Sequence, residues 1–398
     1  MAKLGRSQSS KVHVVEARNR VGGRVFTYEK HSKARGIFDL GASWIHDPPT
    51  NPLMLIAKNM KLKTVETDFD DGIVYDMKGK VIGDSKLERA FKKYERTLFT
   101  AAASAHQNST YDSSIESVLL SNLKDNVAFN HLFMSGLEFE LGTSLRNCSL
   151  RGCIDADWVE AVHGVGDSNS EHMPSYDELC DMILPRDGMS RLISGIASGE
   201  ALRGTNMYHS DAISGETTEE DCIPLSIAFN EEVISIDQTN PESVVITVKQ
   251  YKNPYQDPVL DTANADSNTV TDRQEIAAYK LITYTAKVVI ITVPIGVLQS
   301  SAMTFLPTLS EEKLNAIQSI GFGNVVKVVM EFPSVFWAVN QPFLSIADAS
   351  LANERDRGLL TYFLNGHHLA GTKFLVGYGL GDAADILDQV LLSLYCRI

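Results

Sequence analysis

Cysteine is scarce in this chain, with five in 398 residues, and Cys148, Cys153, Cys180, Cys222 and Cys396 form no CxxC pair and no metal-like spacing with histidine. That scarcity excludes a dense disulfide framework and leaves reduced, structural thiols as the expectation. No apolar run reaches the roughly 18 residues that a membrane-spanning helix needs, and the opening MAKLGRSQSS leads into no signal-peptide core. An intracellular protein, cytoplasmic or peroxisomal, with no membrane partner is expected. Basic residues are also in short supply: 36 Lys and Arg face 50 Asp and Glu, a formal charge of -14. This argues against nucleic acid as a ligand, which needs a basic face, and suits a cationic substrate drawn to an acidic funnel. Repeats and heptads are absent, so neither a solenoid nor a coiled coil is expected.

What is present is apolar bulk. At 44% hydrophobic and 22% charged the chain can bury a large core, and two intertwined domains are expected. Its most informative run is VHVVEARNRVGGR, Val12 to Arg24. Val12, Val14 and Val15 favour a buried strand, and Glu16 ends it. At the C-terminal edge of a doubly wound sheet, such an acid accepts hydrogen bonds from the ribose hydroxyls of a dinucleotide. Gly22 and Gly23 supply a close backbone approach or a positive φ, and Arg18, Arg20 and Arg24 offer charge to a pyrophosphate. The alternative is a surface strand followed by a salt-bridged turn.

Further along, helices are expected over 53–62, 85–107 and most of 115–145, with a hairpin around Lys78 to Lys80. The segment ending GMSRLISGIASG predicts another helix. From Ile223 the pattern turns to strands: IPLSIAFN, EEVISID and SVVITVKQY alternate, and AKVVIITVP is a continuous apolar run suited to a buried strand. The polar stretch YKNPYQDPVLDTANADSNTVTD reads as a surface loop, as does GETTEEDC. A helix near 310–319, the strand VVKVVMEF and a strand-to-helix unit in LVGYGLGDAADILDQVLLSLY complete the chain.

Four ordered blocks resemble the flavin-dependent amine oxidase family. VVEARNRVGGRVFT resembles its ribose-binding acid and RxGGR turn; DLGASWIHDPPTNPL its GASWIHG...NPL segment; ITVPIGVLQ its TVPLGVLK strand end. FLPTLSEEKLNAIQSIGFGNVVKVVMEFPSVFW matches the family over some thirty residues. Within the family, GASWIH and DADWVEAVHGVGD look most like polyamine oxidase, with lysine-specific histone demethylases next. The resemblance implies a mixed α/β fold: a Rossmann-like FAD-binding domain over 1–55 and 186–298, lacking its first strand, and a substrate domain of sheet and helices over 56–185 and 299–398. It implies FAD as cofactor, and a spermine- or spermidine-like amine and oxygen as small-molecule partners. A hydride leaves the carbon beside nitrogen for flavin N5, the imine is hydrolysed, and oxygen is reduced to hydrogen peroxide.

The same resemblance assigns roles. Lys327, in GFGNVVK, matches the lysine that holds a water against the flavin; on residue type alone it is an outward lysine on a strand, though flanked by apolar neighbours. His46 matches a position contacting the substrate amine, where a neutral imidazole accepts from an ammonium or relays its proton. Asp47 stands where the family usually has Gly. Gly41, Ala42 and Ser43 match small residues packed under the flavin ring, and Val233 the position whose backbone holds adenine. Glu138 and Glu140 in LEFELGT would face one cavity if extended and attract a distal ammonium; on a helix they would be solvated, the reading favoured here, with Glu140 the better substrate candidate. Trp337 reads as core.

Only fifteen residues precede Glu16, and none form the GxGxxG turn that the family carries roughly 20 residues upstream of that acid. Nor does anything after LDQVLLSLYCRI supply its C-terminal flavin segment. The expectation is therefore a chain truncated at both ends that binds FAD weakly or not at all, with apolar surface uncovered where the first strand would lie. A non-catalytic binding or regulatory module, or a histone-demethylase relative, is the alternative.

Overall fold

The computed structural model describes residues 12–30, 36–68, 71–107, 112–154, 181–202, 225–252, 279–348 and 356–395. GETTEEDC, DADWVEAVHGVGD and nearly all of the polar stretch after Tyr251 lie outside them. The fold is mixed α/β, with five sheets among the described residues.

Two of these build the side that holds the opening strand. β1 (His13–Glu16) pairs in parallel with β8 (Ser226–Phe229), which sets Glu16 opposite Phe229 at the C-terminal end of both strands. Beside them, β9 (Glu231–Asp237), β10 (Val244–Tyr251) and β11 (Tyr279–Ala286) form an antiparallel meander, and β12 (Thr304–Leu306) adds to β9 in parallel. The β-branched alternation of EEVISID and SVVITVKQY produces this: Ile236, Ile246 and Val248 turn inward and are buried.

AKVVIITVP does not form the buried strand that its apolarity predicts. β11 ends at Ala286, and Lys287 to Pro294 pair with no strand among the described residues. Val288, Ile290 and Ile291 are exposed, Val288 at 75%. Apolar side chains favour burial only when a neighbouring element closes over them, and no described element does so here.

The other side is a helical layer on a five-stranded sheet. α1 (Pro52–Asn59) starts where Asn51 caps Leu53 N–H, with proline at its first turn. α2 (Asp84–Gln107) buries Ala90, Tyr94, Leu98, Phe99, Ala102 and Ala105, the spacing of one helix face. These pack on Ile115 and Leu119 of α3 (Ile115–Asn122) and Met134 of α4 (Val127–Leu141). Burial at about 25 cal/mol per Å² gives roughly 1.5–3 kcal/mol for each large side chain, so this cluster anchors the layer. The expected single helical stretch is broken between α3 and α4, where Asn126 adopts φ 54°.

The sheet runs β13 (Val326–Glu331), β16 (Phe374–Gly379), β15 (Leu359–Asn365), β14 (Phe343–Ala347), β6 (Gly72–Asp76). The hairpin expected at Lys78 to Lys80 contracts to a turn. Asp76 accepts from the amides of Lys78 and Lys80, and the return is a single bridge from Val81 to Tyr75, while β6 pairs with β14 instead. Two small sheets join the halves: β2 (Thr27–Lys30) with β3 (Gly36–Asp39), and β7 (Asp181–Ile183) between β4 (Trp44–Ile45) and β5 (Val65–Thr67).

Candidate functional site

Lys327 lies on β13, flanked by Val326 and Val328, and its ammonium reaches across the junction to the DLGAS turn. It donates to the carbonyls of Asp39 (3.1 Å) and Gly41 (2.5 Å) and to Ser43 Oγ (2.6 Å), residues 284 to 288 positions away in sequence. It also sits over the rings of Trp44 (5.5 Å) and Tyr378 (5.8 Å). The outward reading of this lysine is thereby overturned. Burial lowers its pKa from 10.5 to about 8, with the charge of Asp39 opposing the shift. All three acceptors are uncharged, so they replace only part of the lost hydration.

Asp39 fixes the turn from beneath. Its Oδ1 accepts from Thr27 Oγ1 (2.5 Å) and from the amide of Met189 (3.0 Å) at the start of the helix Gly188–Ala197. Burial raises its pKa even against those bonds and Lys327. Gly41 has no room for a side chain on the face that packs against the backbone of Arg24 and Phe26. A Cβ there would lie 2.0 Å from the Arg24 carbonyl oxygen. Gly41→Ala is therefore expected to cost about 1–3 kcal/mol, read as a lower urea midpoint; an unchanged midpoint would remove this explanation. Ala42 is exposed and Ser43 buried. Tyr378 is fully buried and its hydroxyl has no hydrogen-bond partner among the described residues, beside a cavity of about 40 Å³ that Asp39 and Ser43 also line.

The chain leaves this turn as β4 and carries His46 outward. His46 Nδ1 lies 2.6 Å from Asp181 Oδ2. Asp181 is held in turn: its carbonyl accepts from Thr67 Oγ1 (3.0 Å), which accepts from Trp44 Nε1 (3.0 Å). Asp47, the position where the family has glycine, adopts φ 49°. Aspartate tolerates that left-handed backbone through local bonds, and here its side chain accepts from Thr50 Oγ1.

At the nucleotide end, Glu16 Oε1 accepts from the Arg18 amide (2.8 Å), and the Arg18 carbonyl accepts from Asn230 N–H (3.0 Å). Gly22 and Gly23 both have positive φ, 104° and 56°, and the side of Gly23 that a Cβ would occupy is open. Arg24 is exposed. Arg20 does not project to a ligand: it donates to the Gly23 and Val25 carbonyls and stacks on Phe26 at 4.5 Å, so it closes the turn. Val233 sits on β9 beyond the reach of β12, which pairs with Ser235 to Asp237, so the edge of β9 there has no strand partner among the described residues.

Glu138 is a correction. It is not solvated: it is 1% exposed on α4 and ion-paired to Arg357 at 2.7 Å. Glu140, two residues on, is exposed on the same helix, far round from that face. Trp337 is half-buried in a surface cluster with Phe332 and Phe336, donating to Asn365 Oδ1. Asp39, Trp44, Asp181, Arg357 and Tyr378 were not singled out by sequence. An acid in the apolar run IFDLGA was the one local signal for any of them.

Comparison with known proteins covers the whole site. The chain is 27% identical over 392 residues to probable polyamine oxidase 4 of Arabidopsis thaliana, covering 96% of this chain and 64% of that protein. It is 38% identical over 108 residues to lysine-specific histone demethylase 1 homolog 2 of Oryza sativa subsp. japonica, covering 27% of this chain and 14% of that one. A cofactor-binding redesign of putrescine oxidase has the same fold: TM-score 0.56 at 18% identity, over 94% of this chain and 71% of that one. The chain thus spans about two thirds of the length of the polyamine oxidase it matches. With residues 2–397 matching the family described as flavin containing amine oxidoreductase, the chain belongs to the flavin-containing amine oxidoreductases.

Proposed function

We propose that this chain carries the amine-oxidising centre of an FAD-dependent polyamine oxidase. The observation that carries the reading is the bonding of Lys327 to Gly41 and Ser43, which brings two motif blocks from opposite ends of the chain to one point. The polyamine assignment draws on the share of each relative that is matched: 64% of the polyamine oxidase against 14% of the plant demethylase. The residues fit FAD at both ends. Glu16, with one oxygen already oriented by Arg18, suits the ribose; Arg18 and Arg24 lie beside an open glycine turn for the pyrophosphate; the free edge at Val233 suits adenine; Lys327 and Ser43 serve the ring end. When bound, the flavin supplies the electron-pair acceptor for the carbon next to the amine nitrogen.

The chain's own residues do the rest. Lys327 holds a donor at the buried end, with its ammonium poised to release a proton near neutral pH. Trp44 and Tyr378 wall the lysine and exclude water. Asp47 and Asp181 flank His46 and give the mouth the negative sign that a cationic amine requires.

With FAD supplied in excess, the purified chain is expected to bind flavin, and spermine or spermidine is expected to bleach it without oxygen. Lys327→Met is then expected to slow reoxidation of the reduced flavin. Bound flavin that no polyamine bleaches would reject the substrate assignment, and unchanged reoxidation in the variant would reject the role of Lys327.

A further inference from the structure

We propose that Asp181 is a positioning residue for His46, accepting the hydrogen bond of its Nδ1–H so that the Nε2 lone pair faces outward as the acceptor for a substrate ammonium. This inference rests on the amine-oxidising reading above and extends it by one residue.

The sheet register makes the pair. Trp44 opposes Ile183 and Ile45 opposes Met182 in the antiparallel ladder of β4 and β7. One step further, His46 falls opposite Asp181, where cross-strand Cβ atoms lie about 4.5–5.5 Å apart. On the other flank Thr67 opposes Asp181 in the ladder of β5 and β7. Side chains alternate along strands, so Trp44, His46, Asp181 and Thr67 share one face of this three-stranded sheet. Trp44 touches Lys327 on that face, and His46 follows two residues on, about 7 Å along the strand.

Each component is held. The Asp181 backbone is tied through Thr67 Oγ1 to the Trp44 indole, and the His46 carbonyl accepts from Asn51 Nδ2 (2.7 Å), the residue that caps α1. The exposure is unequal, 14% for the Asp181 side chain and 71% for His46. The acid lies under the sheet edge while the ring reaches into solvent. Since the carboxylate bonds to Nδ1, and no second partner holds the ring among the described residues, Nε2 is the free nitrogen. A carboxylate on one imidazole nitrogen is a general means of fixing the tautomer and ring orientation.

An exposed pair of this kind contributes at most about 1 kcal/mol to stability, so unfolding measurements do not separate positioning from simple surface pairing. The tautomer does. In the chain with ¹⁵N-labelled histidine, long-range ¹H–¹⁵N correlation at about pH 8, where an ordinary imidazole is neutral, reads the proton position. The His46 signals are identified by their loss in His46→Gln. The expected result is a proton on Nδ1 in the wild type, transfer to Nε2 in Asp181→Leu, and retention on Nδ1 in Asp181→Asn, whose carbonyl still accepts. A wild-type proton on Nε2, or one spectrum for wild type and Asp181→Leu, would overturn the proposal, and the wild-type spectrum decides even where a variant does not fold. In the FAD-loaded chain, Asp181→Leu is expected to raise KM for the amine about tenfold, with kcat less affected and Asp181→Asn restoring most of the loss. An unchanged KM would reject the acceptor role. If no amine reduces the flavin in any form, the functional reading falls while the tautomer still decides the positioning claim.

Discussion

Arg357→Ala is expected to lower the free energy of unfolding by about 3–5 kcal/mol, the cost of removing the cation that bridges two buried carboxylates. Arg357 is 1% exposed, and its Nη2 lies 2.7 Å from both Glu116 of α3 and Glu138 of α4. Its own place is in the segment entering β15, so the guanidinium pins two helices to the sheet. Glu138 has further commitments: it accepts from the Leu145 amide at 3.3 Å, and its carboxylate packs against Gly381, where a Cβ would lie 2.7 Å from it. Arg146 extends the network to Glu116 and to Asp382 at the start of the helix Asp382–Tyr395. Burial raises the Glu138 pKa despite the pull of Arg357, which marks how costly this carboxylate is to keep charged. Hence the effect is asymmetric. Removing Arg357 alone strands the Glu138 carboxylate and leaves Glu116 with only the longer contact to Arg146, whereas replacing Arg357, Glu116 and Glu138 together by apolar residues of similar volume should recover most of the stability. Urea unfolding of the single and triple variants checks this. A loss below about 1 kcal/mol for Arg357→Ala would mean that water reaches the network and screens it.

The network also marks where sequence reading stops. LEFELGT is compatible with a strand, which turns Glu138 and Glu140 to one side, or with a helix, which separates them. Only the helix is formed, and its face aims Glu138 at an arginine 219 residues away. Periodicity gives the face of an element, not what is packed on it. His46 was legible because its motif travels with it, but Asp181 was not, since the pairing depends on the register of β4 with β7 across 135 residues. Lys327 was singled out from GFGNVVK and Gly41 from its motif, but the Arg24 backbone that leaves Gly41 no room for a side chain shows only in the fold. The run AKVVIITVP failed in the opposite way. Its composition predicts burial, yet composition carries no information on whether a partner strand is there to bury it.

Lys327→Met is expected to change the pH dependence of stability with a definite sign. The folded chain releases the Lys327 proton at about 8, and an ordinary lysine releases it at 10.5. Below about pH 8 both states hold the proton, and folding carries the full penalty of burying an ammonium among neutral acceptors. Between about 8 and 10.5 the unfolded chain binds more protons than the folded one, so raising the pH stabilises the fold. At about 1.4 kcal/mol per pH unit, the gain across that interval is about 3 kcal/mol. Methionine carries no proton to lose and lacks the term entirely. The stability of the wild type relative to Lys327→Met should therefore rise by about 3 kcal/mol from pH 8 to 10.5, and taking this difference cancels every group that the two proteins share. Asp39→Asn supplies the control on cause. The Asp39 charge holds the Lys327 pKa up, so its removal should move the onset of the rise to lower pH. A flat difference would show that the ammonium is solvated. A difference that falls with pH would show instead that the bonds to Asp39, Gly41 and Ser43 outweigh burial, leaving a permanently charged lysine at this site.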